Sequence, residues 1–355
     1  MRCRQSSIPR VRLPENKMFI ENKKIRPLFI FASFLLIPIT VILCLGIGRY
    51  SLSPLQIVRS FSDALFGGGG DVMARTVIFK VRLPRILLAI AAGAGLACAG
   101  AAFQGLFSNP LATPDTLGVA SGASFGAALA MMFHWNLIGI QALALCFGLF
   151  SCFLTYRISR IKGKSSVVMI ILSGMVVSSL FQALVSIVKY MADPEDELPS
   201  ITYWLMGSMS AVTYKSLAFG LPFIFAGLAA IWALKWRLNI LSLNEDEAKS
   251  MGVNITLIRL LIIGASSLIT ASVISMCGQI GWVGLLIPHI SRMVLGSNNK
   301  TVVPLSISLG AIFMAVIDTF ARSASSAEIP ISILTAIIGA PVFISLLRKT
   351  GGVWA

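Results

Sequence analysis

Residues 86–106 read ILLAIAAGAGLACAGAAFQGL, a run without a single charge. An α-helix of about 20 apolar residues is long enough to cross the hydrocarbon core of a bilayer. The run is rich in glycine and alanine, and small residues let a second helix approach the backbone closely. The stretch therefore predicts a membrane-spanning helix specialised for helix packing. Pore lining and a homodimer face are the open alternatives.

The composition of the whole chain agrees with this prediction. The 355 residues are 56% hydrophobic and 12% charged, with a mean hydropathy of +0.86. Soluble domains carry about a quarter charged residues, because their surface needs a polar skin. This balance excludes an ordinary cytosolic enzyme, a disordered protein and a secreted disulfide scaffold. An all-α polytopic membrane protein remains.

Nine further apolar runs are long enough to span, which gives ten predicted helices. The ten runs cover 28–48, 86–106, 116–133, 138–156, 166–188, 214–234, 257–277, 280–296, 302–320 and 330–347. The eighth is the weakest, because Pro288, His289 and Arg292 interrupt it. We expect a basic tail over 1–27, a transmembrane domain over 28–348 and a second tail over 349–355.

The distribution of positive charge predicts the orientation. Lys and Arg number 29 against 14 Asp and Glu, but no basic stretch is interleaved with aromatic residues as in nucleic-acid binding. With the N-terminus inside, 20 of the 29 basic residues lie on the cytoplasmic side. Both termini are therefore predicted to be cytoplasmic. The exception is Lys80, Arg82 and Arg85, an outer basic cluster that asks for a functional explanation.

No catalytic, cofactor or metal site is predicted. The six cysteines form no Cys-x-x-Cys pair, His134 lies at an outer turn, and His289 has no acidic or cysteine partner at ligand spacing. Gly163-Lys164-Ser165 resembles the end of a phosphate loop, but position 158, where the first glycine belongs, is isoleucine. Any energy from ATP must therefore come from another chain.

Two loops carry further information. The acidic outer segment 193–197 precedes an apolar piece, 200–210, that is too short to span. The inner segment 242–253 predicts a short capped helix with Asn244 as N-cap, Glu247 at N3 and Gly252 as the stop. A docking element and a connector helix on the membrane surface explain this helix equally well.

Polar residues near the helix ends allow two interpretations each. Asn109 and Leu111, in a proline-rich turn after the second span, predict either a tight turn or a constriction. Asp318 and Arg322 are four residues apart, so a helical ion pair is possible, with Glu328 nearby. All three charged residues fall at the outer end, which favours an interfacial ion pair.

Several motifs in order resemble one family. They are Arg82-Leu-Pro-Arg85, Gln104, Asn109-Pro-Leu-Ala112, Leu117 to Gly122, Gly278 to Arg292, Asp318 to Arg322, Glu328-Ile-Pro330 and Gly339 to Phe343. Together they are similar to the FecCD-type permeases of ABC importers, which take up iron-siderophores, haem, vitamin B12 and related metal chelates. The resemblance covers roughly residues 30–348.

The resemblance implies a type II ABC importer permease, not itself an enzyme, in the cytoplasmic membrane of a bacterium or archaeon. It implies a homodimer, a cytoplasmic ABC ATPase dimer, an extracytoplasmic substrate-binding protein and alternating access. The capped helix, within the loop 237–254, then matches a coupling helix. The implied coupling residues are Asn244, Glu245, Asp246, Glu247, Lys249 and Gly252. The implied docking residues are Arg82, Arg85 and Arg322, and the implied gate residues are Asn109, Leu111, Ser165 and Ser166.

An ion-coupled secondary transporter is the alternative. In that case Asp318 or Glu328 would belong to a proton relay. A relay needs carboxylates near the middle of the membrane, whereas these two are predicted at helix ends. Their placement therefore favours the ATP-driven importer.

Overall fold

The protein is described here by a computed structural model. The structure describes residues 25–67, 71–160, 166–241, 253–325 and 327–350. Every regular element within these ranges is helical. The α-helices are α1 (Ile25–Gly46), α2 (Pro54–Phe66), α3 (Val72–Thr76), α4 (Leu83–Phe107), α5 (Val119–Met132), α6 (Leu137–Ser159), α7 (Val167–Met191), α8 (Glu197–Leu205), α9 (Tyr214–Leu234), α10 (Ile255–Cys277), α11 (Val283–Leu295), α12 (Asn299–Ala324) and α13 (Ile331–Thr350).

Ten of these helices coincide with the ten predicted spans. Seven helical segments are long and apolar enough to cross a membrane, and α5, α11 and α13 are shorter apolar helices. The predicted boundaries shift by a few residues, since α1 begins at Ile25 and α13 runs to Thr350. Much of the predicted N-terminal tail lies outside the described residues.

The predicted second span, α4, lies at the centre of the bundle. The π-helical turns Val77–Arg82 lead directly into it. In its most apolar stretch 89% of the residues are buried inside the protein, against 17% in that of α1. A Cβ atom on Gly93 would overlap the backbone of Gly310 in α12, and one on Gly100 would overlap Gly284 in α11. Packing between helices of the same chain therefore accounts for these glycines. Small residues are the ones expected where two helices cross at close range.

Glycines of α5 serve the same purpose. A Cβ atom on Gly122 or Gly126 would lie 2.6 or 2.5 Å from a backbone carbonyl oxygen of α6. The close contact supplies van der Waals attraction that lipid cannot provide. The prediction of plain helix packing is confirmed for this helix too.

The two shortest spanning helices each follow an irregular segment. With 14 and 13 residues, α5 and α11 are about 20 Å long, less than the hydrocarbon core of a bilayer. Irregular backbone at this depth needs partners inside the protein. The Thr155 hydroxyl donates to the carbonyl oxygen of Leu117 at 2.9 Å, and the Ser208 amide donates to that of Cys277 at 2.9 Å.

We call the end of the bundle at which α4 begins the outer end and the opposite end the inner end. These names follow the orientation predicted from the distribution of Lys and Arg. The short helices α2, α3 and α8 do not span. Ser53 and Gln56 form a capping box at the start of α2, and Asp71 caps α3. The nine residues of α8 confirm that the apolar piece after the acidic segment is too short to cross.

Candidate functional site

The outer end holds a buried cluster of charges. The Arg85 guanidinium, in the first turn of α4, donates from Nε to Asp318 Oδ1 at 2.6 Å. Its Nη1 donates to both carboxylate oxygens of Glu328 at 2.9 and 3.0 Å. The Asp318 side chain is fully buried, whereas that of Glu328 is 26% exposed. Arg85 therefore ties α4 to α12 and to the turn before α13.

Two more arginines complete this cluster. Arg82 donates to the carbonyl oxygens of Leu45 and Tyr50, and Arg322 donates to that of Cys44. These carbonyls lie at or just beyond the last turn of α1, where helix carbonyls lack partners and cations are favourable. The two guanidinium groups thus fix the end of α1 to α4 and α12.

The helical pair expected between Asp318 and Arg322 is present, at 3.9 Å between Oδ2 and Nε. Sequence reasoning missed the closer partner, Arg85, because 233 positions separate it from Asp318. The cluster brings together three arginines and two carboxylates. The available signal was the presence of charged residues at the ends of two spans. Sequence spacing alone could not show that Arg85 and Asp318 form a pair.

Burial changes the picture of the outer arginines. Arg82, Arg85 and Arg322 are only 3, 5 and 8% exposed. The sequence led us to expect outward-facing cations that meet an acidic partner, and the structure instead shows internally bonded guanidinium groups. The desolvation of a buried cation is offset by just such ion pairs and carbonyl acceptors. A docking role for these arginines stays a prediction.

Exposed groups lie beside this cluster on the outer surface. Lys80 and Lys215 are exposed, and the Tyr214 hydroxyl donates to the carbonyl oxygen of Phe79 at 2.6 Å. On the loop after α1, the Tyr50 hydroxyl donates to Asp71 at 3.3 Å. The negative charge of that carboxylate raises the pKa of Tyr50.

The predicted gate residues occupy the inner end. The Asn109 side-chain oxygen accepts from the Leu111 amide at 2.9 Å, a local turn bond, and the Leu111 side chain is 50% exposed. Ser166 caps α7 by accepting from the Met169 amide at 3.2 Å. Ser165 lies outside the described residues. The structure thus gives Asn109 and Ser166 local roles, and gating stays a prediction.

The predicted coupling residues cannot be placed in the same way. Asn244, Glu245, Asp246, Glu247, Lys249 and Gly252 lie outside the described residues. The two ends of the loop 237–254 are described. A short 3₁₀-helix, Arg237–Asn239, follows α9, and Asn254 caps α10 by accepting from the Leu257 amide at 3.0 Å.

A polar cluster at the inner end was not predicted. The Arg292 guanidinium in α11 donates to the side-chain oxygens of Gln104 and Asn299, both at 3.3 Å. It also donates to the carbonyl oxygen of Ala101 at 3.2 Å. The signal in the sequence was a charge interrupting the eighth span, which we read only as a weakness of that span.

The two histidines lie on different elements: His289 is three residues before Arg292 in α11, and His134 follows α5. His289 is buried and its ring lies 6.0 Å from that of Phe343, while His134 Nε2 lies 3.2 Å from Glu197. Within the described ranges no group of three His, Cys, Asp or Glu side chains is arranged to hold a metal ion.

This architecture defines the class of the protein. A bundle of apolar helices, packed through glycines and interrupted by internally bonded irregular segments, is typical of membrane transport proteins. The FecCD transport family model matches residues 35–349. The chain therefore belongs to the FecCD transport family.

Relatives of known name agree with this assignment. The molybdate import system permease protein MolB of Haemophilus influenzae is 45% identical over 324 residues, covering 91% of this chain and 96% of MolB. The Fe(3+) dicitrate transport system permease protein FecC of Escherichia coli is 32% identical over 321 residues, covering 88% of this chain and 94% of FecC.

A solved structure shows the same fold. It is an inward-facing conformation of a transporter assigned to the metal-chelate type of ABC transporter, with a TM-score of 0.83 and 44% identity. The match covers 91% of this chain and 99% of the other. The chain is thus an ABC importer permease of the metal-chelate type, a multi-pass membrane protein with the type II importer fold and not itself an enzyme.

Proposed function

We propose that this permease carries a metal-containing anion across the cytoplasmic membrane, with molybdate as the first candidate. The observation that carries the proposal is the 45% identity with MolB across 91% of the chain. Identity at this level over 324 residues supports a shared cargo more strongly than the family fold does, since one fold serves many substrates.

A ferric chelate is the second candidate. The sequence motifs predicted an iron-siderophore or a related metal chelate, and FecC, named for Fe(3+) dicitrate, is 32% identical. The two candidates share a chemistry, because each is a metal centre surrounded by oxygen ligands. They differ strongly in size, so uptake measurements separate them.

The proposed assembly contains two copies of this chain, a cytoplasmic ATPase dimer and an extracytoplasmic binding protein. Family membership supports this assembly. Both termini are proposed to be cytoplasmic, as the excess of Lys and Arg on the inner side indicates. ATP-driven movement of the ATPases would reach this chain through the loop 237–254, with the capped helix as the docking element.

The predicted site roles complete the proposal. The turn containing Asn109 and Leu111 would close the path at the inner end, together with Ser165 and Ser166. The binding protein is proposed to dock at the outer end, at Arg82, Arg85 and Arg322. For Arg85 to pair with a partner carboxylate, that carboxylate must displace Glu328, the partly exposed member of the cluster.

The test is uptake in the cell. We expect a strain lacking this chain to lose high-affinity uptake of radiolabelled molybdate, with ferric dicitrate uptake unchanged, and the wild-type chain to restore it. Loss of ferric uptake alone would overturn the first candidate in favour of the second. Unchanged uptake of both would refute the proposal. Persistence of uptake without the ATPase, with collapse on removing the proton gradient, would favour the secondary transporter.

A further inference from the structure

Asn239, at the start of the loop 237–254, is hydrogen-bonded to the beginning of α12. The side-chain amide nitrogen of Asn239 donates to Asn298 Oδ1 at 2.9 Å, and its oxygen accepts from the Asn299 backbone amide at 2.9 Å. One side chain thus uses both its donor and its acceptor on neighbouring residues. The Lys300 ammonium group, 5.7 Å from the Trp236 ring centre, adds a second contact between the same two segments.

The first turn of α12 is joined in turn to the end of α4. The Asn299 side chain accepts from Arg292 at 3.3 Å, and Arg292 donates to Gln104 at 3.3 Å. Gln104 and Asn299 are 3 and 4% exposed. A Cβ atom on Gly105 would lie 3.1 Å from the side-chain amide nitrogen of Asn299, so the end of α4 and the start of α12 are in close contact.

Gln104 connects this chain of contacts to the predicted gate. Its backbone carbonyl oxygen accepts from the Asn109 amide at 3.2 Å. Its side-chain amide donates to the carbonyl oxygen of Leu285 in α11 at 3.3 Å, which holds Gln104 against Arg292. A continuous set of polar contacts therefore runs from Asn239 through Asn299, Arg292 and Gln104 to Asn109.

Arg292 is the central member of this set. Within the described residues its guanidinium bonds to neutral acceptors at 3.2–3.4 Å, namely two amide side chains and two backbone carbonyls. A planar fork with five donors can keep several neighbours in one arrangement. Because the bonds are long and uncharged at the acceptor side, they can rearrange when a neighbouring segment moves.

We propose that Arg292 is a positioning residue that transmits movement of the segment Arg237–Asn239 to the last turn of α4 and the Asn109 turn. The inference rests on the proposed function, since it joins the proposed coupling element to the proposed gate. The sequence treats these as two separate sites about 130 positions apart. The structure connects them through side chains of α11 and α12.

The test uses the full complex of this chain with its ATPase and binding protein in proteoliposomes. The variants are Arg292→Gln, Asn239→Ala and their combination. We expect each single variant to lower the radiolabelled molybdate moved per ATP hydrolysed by at least about threefold. We expect the combination to lower it no further than the stronger single variant, because both act on one set of contacts.

Ser306→Ala is the matched control. It removes a buried 3.1 Å bond to Ser291 in the same helix pair, away from the Asn239 contacts. We expect the transport-to-ATP ratio of this variant to stay at the wild-type value. Equal loss in the control, or multiplicative losses in the combination, would overturn the role of Arg292. If Arg292→Gln fails to fold, Asn239→Ala decides alone.

A second measurement needs no substrate. Hydrogen exchange of the amides at 104–112 is compared before and after ATP binding to the complex. We expect a change in wild-type and Ser306→Ala protein that is lost in Asn239→Ala. An ATP response retained in Asn239→Ala would refute the proposal. Failure of molybdate and ferric uptake with a normal exchange response would instead refute the cargo alone.

Discussion

The buried ion cluster makes a quantitative prediction for Asp318→Asn. The carboxylate is fully buried, 2.6 Å from Arg85 and 3.9 Å from Arg322. Asparagine has nearly the same shape but leaves three buried arginines facing one remaining carboxylate, Glu328. Removing one partner of a buried pair costs about 3–5 kcal/mol, which is on the order of a thousandfold in the unfolding equilibrium.

The assay is reversible unfolding of the purified chain in mixed micelles, followed by tryptophan fluorescence. Two further variants separate charge from shape. Glu328→Gln should cost about 1 kcal/mol, because water already reaches a 26% exposed carboxylate and weakens its pairing. The double variant Asp318→Leu with Arg85→Met should be more stable than Asp318→Asn, because it removes one positive and one negative buried charge together, while Glu328, which loses its partner Arg85, is partly exposed to water.

The result that refutes this reasoning is equally specific. If Asp318→Asn unfolds within about 0.5 kcal/mol of the wild type, the cluster contributes no more than a surface pair would. A loss in Glu328→Gln as large as that in Asp318→Asn would also contradict the argument, because it depends on the difference in burial.

Other features predict separable outcomes. Gly310→Leu should prevent stable folding, because its side chain would overlap α4, while Gly264→Leu, with nothing within 4 Å, should fold and serve as control in size-exclusion chromatography. Thr155→Val should cost about 1–2 kcal/mol in the same unfolding assay by leaving a buried carbonyl without its donor. Replacing Asn109 and Leu111 together with alanine should make vesicles leak substrate, and tight vesicles would favour a mere turn.

The number and position of the spans followed from the sequence because hydropathy is local. Each apolar run needs only the bilayer thickness to be interpreted, and the runs at 116–133 and 280–296 were found even though their helices are short. The irregular segments before those helices were less predictable. Their backbone bonds are made to residues far along the chain, such as Thr155 and Ser208.

The candidate site was only partly predictable for the same reason. The resemblance indicated which positions to examine, but Arg82, Arg85 and Arg322 were expected at the surface and lie inside. Whether an arginine faces water or a carboxylate depends on which helix ends meet. Helix α4 meets α12 through the Gly93–Gly310 crossing, and nothing within either helix alone specifies that contact.

The sequence by itself determined that this protein lies in a membrane, how many spans it has and which family it belongs to, because composition and motifs are properties of the linear chain. Only the tertiary structure decided which charges compensate each other and which polar residues link the loop 237–254 to the end of α4. Pairing of charges at such separations depends on helix packing in three dimensions, where distance falls to a few ångströms and burial makes each unpaired group costly.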